Sequence, residues 1–309
     1  MKALRAGHLL RQATPCGLLQ HTWPTPSAAA VARPWVVRTS GGSPSGLQPQ
    51  RLFSSTAPGQ GAQSWVPNEE GSDLAQPLPF KSKEELKDVK IYQIRGSPPC
   101  HTVQCFLAYG GIDFTPVEIG ILTKRHIRWS NYKKIPIVTF NGLQVNDSLI
   151  VLKALTPMVF GRDATPAELA MMKVVNTEVM LEFECQLFGS REATSRFCDV
   201  AFSEVTSGPL LKWFVVSRVP SFADRIRAKK PALLSLAEYG KQFREGLQGT
   251  FFGGEGPGPA DVQLWSLIYQ AERLGLPFFE AWLSDTGLGG WYAAVRDHFP
   301  KKGSEDMYR

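Results

Sequence analysis

The sequence predicts an α/β domain followed by an all-helical domain, both behind an N-terminal segment of different composition. Three observations lead to this organisation. Strand-like alternation begins near residue 88, helical spacing takes over near residue 163, and residues 1–60 contain no acid. The chain has 309 residues, of which 43% are hydrophobic, so it is long enough for about two domains and apolar enough for a packed core. The predicted segments are a leader at 1–60, a linker at 61–87, the α/β domain at 88–162 and the helical domain at 163–309.

The net charge of +6 belongs to the first 60 residues rather than to the predicted domains. Those residues hold six Lys or Arg and no Asp or Glu, whereas the rest of the chain has 28 of each sign. The predicted domains therefore lack the excess positive charge that neutralises phosphates, and we expect no nucleic-acid partner. No run of about 18 apolar residues occurs, so we also expect no transmembrane segment.

Residues 1–60 have the composition of a transit peptide, because they are acid-free, contain Arg and are rich in Ser, Ala, Pro and Gly. The stretch Arg51-Leu52-Phe53-Ser54-Ser55 resembles the cleavage region of mitochondrial presequences. We therefore predict a mitochondrial location. Composition does not exclude a plastid address, and a tail without a targeting role is the remaining alternative.

The α/β domain is predicted as a strand, a helix, a strand, a hairpin and a closing helix. Alternation or helical spacing places these elements at residues 89–94, 100–109, 114–119, 135–140 and 143–145, with the last helix running to about residue 154. Asn141-Gly142 is the strongest short hairpin signal, and Asp147 or Asn146 can cap the closing helix. This order is the thioredoxin-like layout.

The second half of the chain is predicted to be helical throughout. Helices are expected at residues 166–188, 190–217, 222–228, 231–248, 260–274 and 288–297. Pro166 occupies a first-turn position, and Asp261 can cap the helix that follows it. A stretch at Trp213-Phe214-Val215-Val216 is either a peripheral membrane contact or, more commonly for such stretches, core.

Three local motifs together resemble the glutathione-transferase superfamily. They are Ser97-Pro98-Pro99-Cys100 after the first strand, Lys134-Ile135-Pro136-Ile137 at the hairpin, and Asn146-Asp147-Ser148 before the closing helix. Within that superfamily, the chain is most similar to the membrane-associated prostaglandin E synthase 2-like proteins. The resemblance covers about residues 88–160 well and residues 165–300 loosely.

The resemblance implies a glutathione site between the two domains. In it, Ile135 and a cis Pro136 would hold the cysteinyl part of glutathione, while Asp147 and Ser148 would hold its γ-glutamyl end. The implied activity is an isomerase that converts a prostaglandin endoperoxide of the H2 type to the E2 type with a thiol cofactor such as glutathione. In it, Ser97 or Cys100 would be the catalytic residue that polarises the endoperoxide or positions glutathione. Haem binding, a homodimer and membrane association are not derivable from the sequence.

One departure from that family falls at the catalytic motif. The family's first motif cysteine, the one credited with activity, is Ser97 here, and the second is Cys100. A dithiol cycle is therefore impossible at this site, but the Ser97 hydroxyl can donate to the thiolate of bound glutathione. This favours a second hypothesis, a glutathione transferase or peroxidase acting on electrophiles. The missing cysteine and the double proline also favour a third, a binding module without catalysis.

Each of these residues has a purely structural alternative. Ser97 can be a helix cap that bonds to the Cys100 N–H, and Cys100 can be a small buried residue rather than a low-pKa thiol at a helix start. Pro136 can be a trans proline on an edge strand, while Asp147 and Ser148 can be simple caps.

The other chemistry-bearing residues are predicted to have structural roles. We expect His101 and His126 on the surface, and Cys105, Cys185 and Cys198 in the core. Cysteine spacing gives no metal site. The expected substrate is a small lipid or another electrophile.

Overall fold

The computed structural model describes residue 74 and residues 77–120, 125–203, 208–218 and 220–300. These residues lie in one compact unit, Gly61–Arg309. The predicted leader at 1–60 and much of the predicted linker lie outside the described residues, so the transit peptide stays a prediction.

A four-stranded sheet with the order β2-β1-β3-β4 forms the first half of this unit. Its strands are β1 (Val89–Gln93), β2 (Thr115–Glu118), β3 (Ile137–Phe140) and β4 (Leu143–Asn146). Strands β1 and β2 are parallel and are connected by helix α1 (Pro98–Tyr109), whereas β3 is antiparallel to both β1 and β4. Helix α2 (Ser148–Phe160) follows β4. The predicted thioredoxin-like layout is confirmed.

The hairpin between β3 and β4 turns at Asn141-Gly142, as the sequence predicts. Asn141 has a φ of 49° and Gly142 a φ of 88°, the pair of positive values that a two-residue hairpin turn needs. The Asn141 side chain also accepts hydrogen bonds from the Lys87 and Asp88 N–H groups at 2.8 and 3.0 Å. Asn141 therefore also holds Lys87 and Asp88, the two residues directly before β1, in place.

The second half is helical, with no strand among its described residues. The helices are α3 (Pro166–Val174), α4 (Met180–Leu187), α5 (Arg191–Ala201), α6 (Gly208–Arg218), α7 (Pro220–Lys229), α8 (Leu236–Glu245), α9 (Pro259–Arg273), α10 (Phe278–Thr286) and α11 (Gly289–Asp297). In the part of the chain that the structure describes, no helix combines the length and apolarity needed to cross a bilayer.

Two helix predictions need correction. The single helix expected at 190–217 is two helices, because α5 ends at Ala201 and α6 begins at Gly208. Helix α10 was not predicted at all. It starts after Pro277 without a side-chain cap, so the usual sequence signal for a helix start is missing there.

Helices α3 and α4 are joined by a single π-turn, Val175–Val179. Such a turn adds one residue to a helical turn and therefore rotates all later side chains about the helix axis. Two ordinary turns take 7.2 residues at 3.6 per turn, and two turns with one residue added take about 8. Asn176 and Glu184, eight residues apart, consequently project to the same side of the helix.

Helix α1 is enclosed between the sheet and α9, which makes its residues core. The Ser266 hydroxyl donates to Thr102 at 3.0 Å, and the His101 ring stacks on Tyr269 with ring centroids 6.0 Å apart. The expected surface position of His101 is wrong: only 1% of it is exposed, and burial lowers its pKa to about 3. Cys105 on the same helix is buried, as predicted.

Candidate functional site

The three motifs meet at one end of the sheet. Ser97 follows the end of β1, which lies beside the start of β3 because these strands are antiparallel and pair Tyr92 with Ile137. The β3–β4 pairing sets Ile137 opposite Asn146, so Asp147 emerges at the same end. The structure therefore brings together Ser97, the Ile135–Pro136 peptide and the start of α2.

The peptide bond between Ile135 and Pro136 is cis, which confirms the prediction made from the resemblance. Pro136 is buried and Ile135 half-buried. Within the described residues, the backbone–backbone hydrogen bonds outside the regular elements do not include Ile135. Its N–H and C=O can thus serve a bound peptide.

Ser97 is the half-buried residue that opens α1. Its side chain makes no capping bond to the helix backbone, so the predicted cap to the Cys100 N–H is not formed. The Ser97 hydroxyl instead lies near the Cys100 thiol and acts to lower the pKa of that thiol. Pro98 and Pro99 occupy the first turn and remove two N–H donors from it.

The loop that presents Ser97 is held from two sides. On one side, Arg95 donates its backbone N–H to Glu118 at the end of β2, at 3.0 Å. On the other, the Gln270 side-chain amide of α9 donates to the Gly96 carbonyl. Gly96 has a φ of +79°, and a Cβ there would lie 3.2 Å from the Phe197 ring. The backbone conformation therefore favours glycine directly before Ser97, and any larger residue would also have to displace the Phe197 ring by a few tenths of an ångström.

The expectation of a low-pKa thiol at Cys100 is wrong. Only 1% of Cys100 is exposed, and burial raises the pKa of its thiol to about 12. The Ser97 hydroxyl and the Ile94 backbone act in the opposite direction but do not overcome burial. Cys100 faces the core, so its thiol stays protonated at neutral pH and a solvent-borne electrophile does not meet it.

Asp147 caps α2, as the sequence predicts, with a φ of 71°. Its Oδ1 accepts from the Leu149 N–H at 2.9 Å, and among the described residues its Oδ2 has no donor. The buried Ser148 hydroxyl donates to Asn176 of the π-turn at 3.0 Å. Ser148 thus connects the two halves of the unit through its hydroxyl, while its backbone N–H lies in the first turn, where helices leave donors unpaired.

Glu184 is a candidate site residue that sequence reasoning missed. It projects from α4 to the same side as Asn176, toward the half of the unit that carries Ser148. One turn further, Phe188 packs on Phe197 with ring centroids 5.1 Å apart, and Phe197 abuts the Gly96 backbone. Glu184 therefore lies on the helix face between the two contacts with the α/β half. No pattern in the sequence marks it.

The Glu184 side chain is half-buried and, among the described residues, lacks a polar partner. The side chain keeps partial access to solvent, yet burial raises the pKa of its carboxyl from 4.5 to about 7. The described residues offer it no hydrogen bond or ion pair. An unpaired carboxyl that titrates near neutrality can both take and give a proton at physiological pH.

The residues at the end of the sheet fit the three parts of glutathione. The Ile135 peptide can pair with the cysteinyl backbone, and the Ser97 hydroxyl lies where it can donate to a sulfur. Asp147 Oδ2 can accept from an α-ammonium, and the Ser148 N–H at the positive end of α2 suits an α-carboxylate. The Ser148 hydroxyl, which the resemblance assigns to that carboxylate, is already bonded to Asn176.

Two curated relatives are similar to part of the chain. Prostaglandin E synthase 2 of Danio rerio is 34% identical over 80 residues, which are 26% of this chain and 21% of that protein. Prostaglandin E synthase 2 of Mus musculus is 30% identical over 93 residues, 28% of this chain and 23% of that protein. The chain thus spans about a fifth of the length of these relatives. No family model matches it.

Solved structures with similar coordinates are glutathione transferases and related proteins. A beta-etherase from Sphingobium sp. strain SYK-6 covers 71% of this chain and 98% of its own, with 16% identity and a TM-score of 0.46. A glutathione transferase homologue from Lodderomyces elongisporus covers 69% and 98%, with 16% identity and a TM-score of 0.42. With its strand order, cis proline and helical second half, the chain has the fold of the glutathione-transferase superfamily and is similar over part of its length to prostaglandin E synthase 2.

Proposed function

We propose that the protein binds glutathione at the end of the sheet and uses it to isomerise a prostaglandin endoperoxide of the H2 type to the E2 type. The observation that carries this proposal is the meeting of Ser97, the cis Ile135–Pro136 peptide and the start of α2. The similarity to prostaglandin E synthase 2 supports the choice of substrate. A mitochondrial location, drawn from residues 1–60, is part of the same proposal.

The binding step uses polar groups that the fold holds in place. Asp147 is fixed by its own cap bond to Leu149, so its second oxygen is oriented without further loss of side-chain freedom. Ser97 is fixed through the loop that Glu118 and Gln270 hold. Glutathione, when bound, would supply a thiolate that takes up one oxygen as the oxygen–oxygen bond breaks and leaves again as a thiolate when the carbonyl forms.

The isomerisation also needs one group that moves a proton. One ring carbon loses its hydrogen as a carbonyl forms, and the other oxygen of the broken O–O bond gains a hydrogen as a hydroxyl. The Glu184 carboxylate can take the proton from the carbon and return it to that oxygen, so the atoms balance without an external oxidant. Its pKa of about 7 suits both directions.

Asp147→Ala should weaken the binding of glutathione at least tenfold, because one charge-assisted hydrogen bond contributes about 1.5–3 kcal/mol. Calorimetric titration of the full chain with glutathione measures this. Asp113→Ala, which removes an exposed carboxylate from the loop after α1, is the matched control and should leave the affinity unchanged. Equal affinity of Asp147→Ala and the wild-type chain would contradict the assignment of the γ-glutamyl site.

A second candidate function is glutathione transfer to electrophiles, and Ser97 is the observation that favours it. Its half-buried hydroxyl makes no cap bond, so it can donate to a thiolate instead. Ser97→Ala should then lower kcat/KM for conjugation of a chloronitrobenzene about 100-fold, since such a donor typically contributes 10²–10³.

The control and the two assays separate the hypotheses. Ser284→Ala, an exposed substitution on α10, should leave conjugation unchanged, and undiminished conjugation by Ser97→Ala would remove the proposed role of the hydroxyl. Glutathione binding without turnover in either the isomerase or the conjugation assay would indicate the third hypothesis, a binding module that has kept the fold.

A further inference from the structure

An apolar stripe is exposed on helix α6. Leu210 is 76% exposed, Trp213 70% and Phe214 51%. These residues are at i, i+3 and i+4, so they share one face of the helix. The opposite face packs on the core through Leu211 and Val215. The expectation that residues 213–216 are core is therefore wrong for the two aromatic residues.

Positive charge is concentrated on the two helices that carry this stripe and follow it. Residues 208–230, which contain α6 and α7, hold six Lys or Arg but only one acid, Asp224. Two of these cations are engaged, Lys212 with Asp199 and Arg227 with Glu182. The others, Arg218, Arg225, Lys229 and Lys230, have no ion pair with a described acid. The neutral average of the folded unit therefore hides a local cationic surface.

The exposed cations lie on the same pair of helices as the aromatic residues, and one of them contacts the stripe directly. Helices α6 and α7 pack against each other, and the Arg218 guanidinium lies 5.3 Å from the centre of the Phe214 ring. We define the α6–α7 surface as Leu210, Trp213 and Phe214 with the four cations that have no ion pair. Bulky apolar residues, one of them Trp, beside Lys and Arg are typical of protein surfaces that lie in the headgroup region of a membrane.

Other partners fit this surface less well. In a two-fold dimer formed through this surface, the four cations of one copy would face the same cations of the other copy and repel them. The stripe has only three side chains, whereas a stable interface buries about 800 Å² per partner. An acidic nucleic-acid surface would match the charge but would leave Leu210 without apolar contacts.

We propose that the α6–α7 surface docks the protein on membranes that contain anionic lipid. Trp213 and Phe214 enter the headgroup region, and the cations contact lipid phosphates and carboxylates. This proposal stands on the surface alone and does not require the proposed enzymatic function.

Flotation of the full chain with phosphatidylcholine vesicles that contain about one-third phosphatidylserine tests the docking. Each surface cation contributes about 1 kcal/mol near such a membrane, so Arg225→Gln/Lys229→Gln should lower the partition coefficient at least tenfold. Trp213→Ser/Phe214→Ser should have a similar effect. Vesicles of phosphatidylcholine alone should bind the wild-type chain much less.

Two controls match these variants in chemistry. Leu169→Ser removes an exposed apolar residue from α3, and Lys173→Gln/Lys241→Gln removes two exposed cations from α3 and α8. Neither should change the partition coefficient. Because residues 1–60 are the same in every variant, their binding cannot create a difference between them.

Quenching of Trp fluorescence by lipids brominated in the acyl chain locates the contact. The wild-type chain should lose emission on such vesicles, and Trp213→Tyr should lose less. Unchanged flotation of both double variants overturns the proposal. So does conversion of a dimer into a monomer by Trp213→Ser/Phe214→Ser in size-exclusion light scattering, since the stripe would then be a subunit interface.

Discussion

Replacing Asp261 by alanine should lower the free energy of unfolding by about 4 kcal/mol or more. Its carboxylate is fully buried and accepts from the backbone N–H groups of Phe252, Gly253 and Gly258 at 2.9, 3.0 and 2.8 Å. The Trp291 indole N–H donates to it as well, at 2.8 Å. Alanine would leave four donors unpaired, three of them buried, and each buried one costs about 1–3 kcal/mol.

Urea unfolding followed by circular dichroism measures this loss. Asp261→Asn keeps one acceptor oxygen and should lose less, while Asp285→Ala removes an exposed carboxylate from α10 and should change the free energy of unfolding by less than about 0.5 kcal/mol. A loss below about 1 kcal/mol in Asp261→Ala would show that water replaces the carboxylate. Asp261 would then be only a helix cap.

The elements predicted correctly are those whose conformation is determined by residues close together in the sequence. Asn141-Gly142 forms its hairpin because the two residues accept the positive φ values that the turn needs. Asp261 bonds to the N–H of Gly258 at the start of its own helix, as a capping residue three positions on can. Helix α10 lacks such a signal, and only its packing on the rest of the helical half marks it as a helix.

The backbone of the candidate site could be predicted for a similar reason. The motif at Ile135-Pro136 and the cap at Asp147 lie in the α/β half, where their order along the chain determines their place at the sheet end. What could not be predicted depends on how α4 and α9 pack. The burial of Cys100 and His101 and the bond from Ser148 to Asn176 require contacts between residues far apart in the sequence.

Glu184 belongs to this second group, and its substitution by glutamine should stabilise the protein at alkaline pH. Burial raises the pKa of the carboxyl to about 7 in the folded state, from 4.5 in the unfolded chain. The folded state then binds the proton more tightly, so stability falls as the pH rises from about 4.5 to about 7 and stays lower above that. The full shift corresponds to about 3 kcal/mol, which partial access to solvent reduces to about 2 kcal/mol.

Unfolding in urea at pH 5 and pH 8 measures the effect. Glu184→Gln should exceed the wild-type chain by about 0.5 kcal/mol at pH 5 and by about 2 kcal/mol at pH 8. Glu245→Gln, an exposed substitution on α8, should show no such difference. Equal stability of Glu184→Gln and the wild-type chain at both pH values would mean that the carboxyl is solvated like any surface glutamate.

The Glu184→Gln variant also tests whether the stability lost through this carboxyl is connected with catalysis. A group that lowers stability at neutral pH without any partner is a candidate for catalysis, where such a cost is often found. If Glu184 moves the proton, Glu184→Gln should lower kcat for the endoperoxide 10²–10⁴-fold while glutathione binds as before. It should also remove the limb near pH 7 from the pH profile of kcat. Greater stability with unchanged kcat would instead mean that the carboxyl is partly buried without taking part in the reaction.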